Sequence, residues 1–208
     1  MACKKTFVCI HRRIKMWNIP NILTLLRIGM IPVFVGIFYL PANAVTADGL
    51  PAHWVNLTAA SVFILAAFTD WLDGYWARKY HQMSKFGAFL DPVADKLMVA
   101  AALIVLVELN RAGAVVALII IGREIAISAL REWMASIGKS ANVAVAMVGK
   151  VKTAAQMAAI TLLLWYDPLF GVDIQWLGEW LIVLAALLTL ISMGYYLRAA
   201  WPAIRETI

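Results

Sequence analysis

Residues 54–96 read WVNLTAASVFILAAFTDWLDGYWARKYHQMSKFGAFLDPVADK, and the architecture turns on how this stretch divides. Positions 54–69 carry no charge, Asp70 and Asp73 follow, a basic segment intervenes, and Asp91 and Asp95 open a second apolar run that reaches residue 108. A bilayer crossing needs about 20 mostly apolar residues in a helix. Residues 54–73 and 88–108 each meet that requirement, so the stretch reads as two membrane spans joined by a short connection.

Working outward, four more stretches qualify: 21–40, 112–133, 147–166 and 176–197. Pro41, Asp48-Gly49, Asn110, Gly113, Gly138 and Asp167-Pro168 punctuate the connections between spans. The expected fold is therefore all-α, a polytopic membrane protein of six transmembrane helices, with residues 16–208 forming one membrane domain. Composition agrees: 63% of the 208 residues are hydrophobic and 14% charged, against about 45–50% and about 25% in soluble domains. Disorder, a collagen-like repeat and an ordinary cytosolic globule are excluded on that ground. Cys3 and Cys9 both lie in the first ten residues, so neither a disulfide framework nor a Cys/His metal site is expected. There is no repeat of 20–50 residues.

The cations set the orientation. Lys4, Lys5, Arg12, Arg13, Lys15 and Arg27 cluster at the start of the chain, and Arg78, Lys79, Lys85 and Lys96 lie around the second connection. Arg123, Arg131, Lys139, Lys150 and Lys152 lie around the fourth, and Arg198 and Arg205 follow the last span. Seventeen of the eighteen Lys and Arg residues thus fall on one side, leaving Arg111 on the other. Both termini are expected in the cytoplasm. Residues 1–15 are basic with no compact apolar segment and cleavage site behind them. They read either as an extension upstream of a start at Met16 or as a basic juxtamembrane tail. Trp17, Trp54, Trp165, Tyr166, Trp176 and Trp180 fall near span ends, where aromatic side chains suit the membrane interface. His11, His53 and His81 share no spacing, and no catalytic role is assigned to them.

Asp70 and Asp73 are three apart, and Asp91 and Asp95 four apart. Both spacings place residues on one helical face. Two spans joined by a short connection should be antiparallel neighbours, which brings four carboxylates together near the cytoplasmic surface. Unneutralised carboxylates in a membrane are costly and repel one another. Divalent metal is the economical compensation, and an all-oxygen site suits Mg²⁺ or Mn²⁺. Four carboxylates suffice for two such ions, the arrangement used for displacement at phosphorus. Gly74 and Gly87, one beside each pair, open room for a ligand near the backbone. The alternative, four helix-capping or interfacial aspartates, does not account for the glycines and the arginine between them.

The segment carries the pattern D-x2-D-G-x2-A-R-x8-G-x3-D-x3-D at Asp70, Asp73, Gly74, Ala77, Arg78, Gly87, Asp91 and Asp95, without departure. In this it resembles the CDP-alcohol phosphotransferase family. The resemblance runs from about Met16 to the last span, through Asn18-Ile19-Pro20-Asn21, Thr24, Arg27, Gly122-Arg123-Glu124-Ile125, Ala129-Leu130-Arg131-Glu132, Gly149-Lys150-Val151-Lys152-Thr153 and Gln156. Those stretches are most similar to bacterial members whose acceptor is sn-glycerol 3-phosphate. The resemblance implies a reaction of CDP-diacylglycerol with sn-glycerol 3-phosphate, giving phosphatidylglycerophosphate and CMP. It implies that Asp70, Asp73 and Asp91 ligate metal, that Asp95 sits at the second metal and acts as base, and that Gly74, Ala77, Arg78 and Gly87 bind CDP-diacylglycerol. It also implies a homodimer. No nucleic-acid partner is expected.

A dianionic acceptor needs cations beyond the metals. Arg123 interrupts an apolar run, Arg131 lies further along the same span, and Lys150 and Lys152 open the next. An intramembrane cation is functional by default, and arginine and lysine both suit phosphate oxygens. These four are the expected acceptor-phosphate site. The competing reading pairs Arg123 or Arg131 with Glu124 and lets the lysines snorkel to the surface. Thr24 and Arg27 either touch the nucleotide or lipid diphosphate, or Arg27 snorkels. Two other functions compete. A different alcohol acceptor, such as serine, inositol phosphate or phosphatidylglycerol, leaves part of the basic cluster unexplained when it is uncharged. An ion channel or transporter needs a polar path across the bilayer, and the distal halves of the spans are apolar.

Overall fold

The computed structural model describes residues 19–39, 52–80, 85–137, 146–168, 171 and 173–207. They form six helices: α1 (Ile19–Tyr39), α2 (His53–Tyr80), α3 (Lys85–Glu108), α4 (Ala114–Ser136), α5 (Ala146–Trp165) and α6 (Ile174–Thr207). No strand occurs among the described residues. Each helix coincides with one expected span. However, α2 continues to Tyr80 and α6 to Thr207, well past the apolar segments. Hydropathy marks only the apolar part of a helix, and the backbone carries on through the polar residues beyond it. As a result Asp70, Asp73, Gly74, Ala77 and Arg78 all ride on one unbroken helix.

By length and composition, Ile22–Tyr39 of α1 and Ile174–Pro202 of α6 are apolar enough to cross a membrane, and Val151–Trp165 is a shorter apolar helix. The site aspartates depress the hydropathy of α3, and Arg123, Glu124 and Arg131 that of α4. The expected turns at Pro41, Asp48-Gly49 and Gly138 lie outside the described residues, as do residues 1–15.

The helices associate through small residues and shape. Ala59, Ala60, Ala102 and Ala159 are fully buried and let backbones approach, while Phe34, Phe63, Leu103, Leu106, Ile120, Ile160, Leu163 and Leu164 fill the interior. α6 comes so close to α5 that a Cβ on Gly178 would stand 2.9 Å from Leu163 Cγ. The outside is as apolar as the inside: Val115 and Leu118 are 70% and 71% exposed, with Ile104, Leu187, Trp176 and Trp180 also exposed. An exterior of this kind suits lipid rather than water.

Among the described residues, α1 packs against both α2 and α3, whereas α2 and α3 touch each other least of all the neighbouring pairs. α2 and α3 are neighbours, and α1 packs more extensively against each of them.

The end of the bundle carrying Tyr39, Glu108, His53 and Asp167 has exposed polar contacts. Tyr39 hydrogen-bonds Glu108, and His53 Nδ1 lies 2.7 Å from Asp167 Oδ2. α3 ends in a tight C-cap: Asn110 takes φ 57°, Asn110 N–H donates to Val107 O at 3.1 Å, and Arg111 N–H donates to Leu106 O at 2.8 Å. Asparagine tolerates that left-handed conformation better than most residues. Arg111, the cation on the sparsely charged side, is 2% exposed. Its Nη1 donates to Leu163 O at 3.2 Å and Leu164 O at 3.3 Å, its Nη2 donates to Asn56 Oδ1 at 2.9 Å, and its guanidinium lies 3.9 Å from the Tyr166 ring centroid. Burial pushes its pKa down to about 10, which leaves it charged at neutral pH. It caps carbonyls at the end of α5 that the helix itself cannot satisfy.

Candidate active site

At the opposite end, α1 supplies the residue that organises the carboxylates. Arg27 is 1% exposed, and its Nη1 donates to Asp70 Oδ1 of α2 at 3.1 Å and to Asp95 Oδ1 of α3 at 2.6 Å. The snorkelling alternative for Arg27 is thereby removed: the guanidinium points inward, between the two aspartates. Thr24, one turn earlier, is fully buried. Both aspartate side chains remain about half exposed, at 47% and 43%, and so stay open to a ligand.

Helical register puts positions 73, 74, 77 and 78 on the same face of α2 as Asp70, and positions 87 and 91 on the same face of α3 as Asp95. The side chains of Asp73, Ala77, Arg78 and Asp91, and the surroundings of Gly74 and Gly87, lie outside the described residues. Among the described residues there is no group of three His, Cys, Asp or Glu able to hold a metal. The placed half of the expected ligand set consists of hard carboxylate oxygens from two helices meeting at one point. That chemistry fits Mg²⁺ or Mn²⁺.

Asp70 and Asp95 line a cavity of about 420 Å³, together with Arg27, Lys96, Glu124, Lys152, Thr153 and Gln156 and an apolar wall of Phe63, Ala66, Ala67, Met98, Val99 and Met157. Five helices contribute. The structure therefore brings Lys152 of α5 into the same cavity as the carboxylates. Lys152 is 3% exposed and hydrogen-bonds Glu124 Oε1. The same oxygen accepts from Arg123 Nη1 at 2.9 Å, and Arg123 Nη2 donates to Ser192 Oγ of α6 at 2.9 Å. Arg123 is 8% exposed, and its Nε has no hydrogen-bond partner among the described residues. The internal pair weighed for Glu124 is thus present, with Arg123 and with Lys152 rather than with Arg131.

Arg131 stands apart and exposed: its Nη2 donates to the Tyr196 hydroxyl at 2.7 Å, and its guanidinium lies 5.0 Å from that ring's centroid. It does not line the cavity. Tyr196 still links the two arginines, since the Arg123 guanidinium lies 6.0 Å from the same ring. The Lys150 side chain lies outside the described residues.

Sequence reasoning passed over three contributors. Ser192 and Tyr196 belong to the last span, where the sequence pattern assigns no site residue. Their signal was a polar line on one helical face, Thr189, Ser192 and Tyr196, at spacings of three and four. Glu124 was weighed only as a partner, yet it lines the cavity itself.

Over 186 residues, 88% of this chain, the sequence is 48% identical to the CDP-diacylglycerol–glycerol-3-phosphate 3-phosphatidyltransferases of Escherichia coli (strain K12) and of Shigella flexneri serotype 5b (strain 8401), covering 95% of each. The CDP-alcohol phosphatidyltransferase family model matches residues 17–191, a span that includes Arg27, all four aspartates, Arg123 and Lys152. The chain belongs to the CDP-alcohol phosphatidyltransferase family.

Proposed function

We propose that the protein is a phosphatidylglycerophosphate synthase, transferring the phosphatidyl group of CDP-diacylglycerol to sn-glycerol 3-phosphate and releasing CMP. The observation that carries this reading is the shared cavity, in which carboxylates from α2 and α3 face a buried lysine from α5. One end suits the diphosphate and its cations, and the other suits a phosphorylated acceptor. The names of the 48%-identical relatives support the same pair of substrates.

In this mechanism the acceptor hydroxyl attacks the phosphorus that bears diacylglycerol. Asp95 takes the hydroxyl proton, the new P–O bond forms, the diphosphate P–O bond breaks, and CMP departs with the bridging oxygen. Arg27 holds the Asp70 and Asp95 carboxylates in place and offsets their mutual repulsion. Gly74, Ala77, Arg78 and Gly87 bind the CDP-diacylglycerol head group, with Thr24 and Arg27 beside it. Lys152 in the cavity and Arg123, joined to it through Glu124, hold the acceptor phosphate, with Lys150 on the same helix as Lys152, and Glu124 keeps Arg123 and Lys152 together before the phosphate arrives. Two divalent cations held by Asp70, Asp73, Asp91 and Asp95, Mg²⁺ or Mn²⁺, supply neutralisation of the diphosphate and of the departing CMP phosphate when bound.

The six helices span the bacterial inner membrane with both termini and the cavity on the cytoplasmic side, a reading supported by the cation distribution and the apolar exterior. The working unit is a homodimer, by family resemblance. CMP release from CDP-diacylglycerol by purified protein, with and without sn-glycerol 3-phosphate and divalent metal, tests the enzyme reading. Metal-dependent release that rises with sn-glycerol 3-phosphate is expected. Release stimulated instead by serine, inositol phosphate or phosphatidylglycerol would move the protein to another acceptor class, and absence of metal-dependent release would end the enzyme reading.

A further inference from the structure

Gln156 lies on α5 one turn beyond Lys152, on the same helical face, and lines the cavity that holds Asp70 and Asp95. It is 4% exposed, and its Oε1 has no hydrogen-bond partner among the described residues. Buried polar atoms in folded proteins are almost always paired, and one left without a partner beside a binding cavity invites a ligand group to complete it. The polar lining is otherwise charged, apart from the Thr153 hydroxyl. Carboxylates match metal ions and protons, and cations match phosphate. A neutral amide matches a neutral hydroxyl, and it pairs with one in either amide orientation, since both groups donate and accept.

Resting on the proposed reaction, we infer that Gln156 reads the secondary hydroxyl of the acceptor. The primary hydroxyl of sn-glycerol 3-phosphate goes to Asp95 and its phosphate to Lys152 and Arg123. The C2 hydroxyl lies between those ends, and Gln156 lies on α5 just beyond the lysine. Gln156 is then a specificity-determining residue: an acceptor without that hydroxyl leaves the amide unpaired, and sites built to bond a hydroxyl reject analogues lacking it.

The test compares sn-glycerol 3-phosphate with 3-hydroxypropyl phosphate, which keeps the phosphate and the attacking hydroxyl and lacks the C2 hydroxyl. Wild-type protein in proteoliposomes with saturating CDP-diacylglycerol should favour sn-glycerol 3-phosphate in kcat/KM by about 10–100-fold, the range set by one buried hydrogen bond. Gln156→Met, similar in length and unable to make the bond, should lose that factor on sn-glycerol 3-phosphate and keep its kcat/KM on 3-hydroxypropyl phosphate, so the preference collapses. Should the Met variant aggregate, Gln156→Asn, which retracts the amide by one methylene, should show the same selective loss. Equal loss on both acceptors, or a wild type indifferent between them, overturns the inference. A wild type that releases CMP with neither acceptor removes the proposed reaction instead, and so separates the two failures.

Discussion

Replacing Arg27 by alanine takes away the guanidinium that Asp70 and Asp95 share, and the outcome should depend on divalent metal. In the structure one nitrogen of a 1%-exposed arginine serves both carboxylates, at 3.1 and 2.6 Å. Breaking a fully buried ion pair costs about 3–5 kcal/mol, because the remaining charge is stranded. Exposed pairs are worth about 0–1 kcal/mol. Here the arginine is buried while the carboxylates are 47% and 43% exposed, so an intermediate loss of about 1–3 kcal/mol is expected. For a chain of this size that corresponds to a Tm lower by about 2–12 °C. The measurement is thermal unfolding of wild type and Arg27→Ala in detergent, each in EDTA and in excess Mg²⁺. In EDTA the variant's two carboxylates repel with nothing between them, and the full deficit should appear. In Mg²⁺ the ions take over the neutralisation, and the deficit should shrink by at least half. Arg27→Lys, which keeps a charge but loses the fork, should fall between. A deficit of the same size in EDTA and Mg²⁺ would refute the reasoning, because Arg27 would then be acting through packing alone. No deficit in EDTA would refute it equally.

Arg123→Ala should raise KM for sn-glycerol 3-phosphate by about 10-fold or more, a charge-assisted hydrogen bond being worth about 1.5–3 kcal/mol, with little change in KM for CDP-diacylglycerol; equal loss toward both in steady-state kinetics counts against an acceptor role. Arg111→Ala should lower stability by about 2–4 kcal/mol, since it strands Asn56 and two α5 carbonyls away from water, yet leave the KM values of the folded enzyme unchanged; denaturation together with kinetics checks both halves. Gly178→Val should destabilise by about 1–3 kcal/mol through overpacking against Leu163, read as a lower Tm, whereas Gly194→Ala, where an added Cβ meets nothing within 4 Å, should leave Tm within about 2 °C.

The helices were legible because a long apolar stretch is a coarse signal that survives local detail, and each of the six stretches read from sequence coincides with an observed helix. Asp70 and Asp95 were legible as a converging pair because two spans joined by a short connection must lie as antiparallel neighbours. What sequence could not supply was the third party. Arg27 lies 43 residues from Asp70 and 68 from Asp95, and nothing in local pattern says that α1 rather than solvent faces them. Arg123, Glu124 and Lys152 were visible as charges. Their pairing depends on how α4 and α5 rotate about their axes, which hydropathy leaves open when lipid and protein neighbours are equally apolar. Arg131 shows the same ambiguity resolved the other way, onto Tyr196 and away from the cavity. Arg111 carried the clearest signal of its kind, a single cation on the wrong side, and the structure makes it a cap.

The cavity also sits at a seam in the chain. Arg27, Asp70 and Asp95 come from α1–α3, whereas Glu124, Lys152 and Gln156 come from α4 and α5, and α6 steadies Arg123 through Ser192. Under the proposed roles, the half that opens the diphosphate is encoded before the Asn110 turn and the half that chooses the alcohol is encoded after it. That turn lies at the end remote from the chemistry. A lineage could therefore exchange its acceptor by altering the second half alone, conserving the bond-breaking apparatus, provided that Arg111 still found Asn56 and the carbonyls of Leu163 and Leu164. The division is a natural joint along which one cleavage chemistry can be coupled to many head groups.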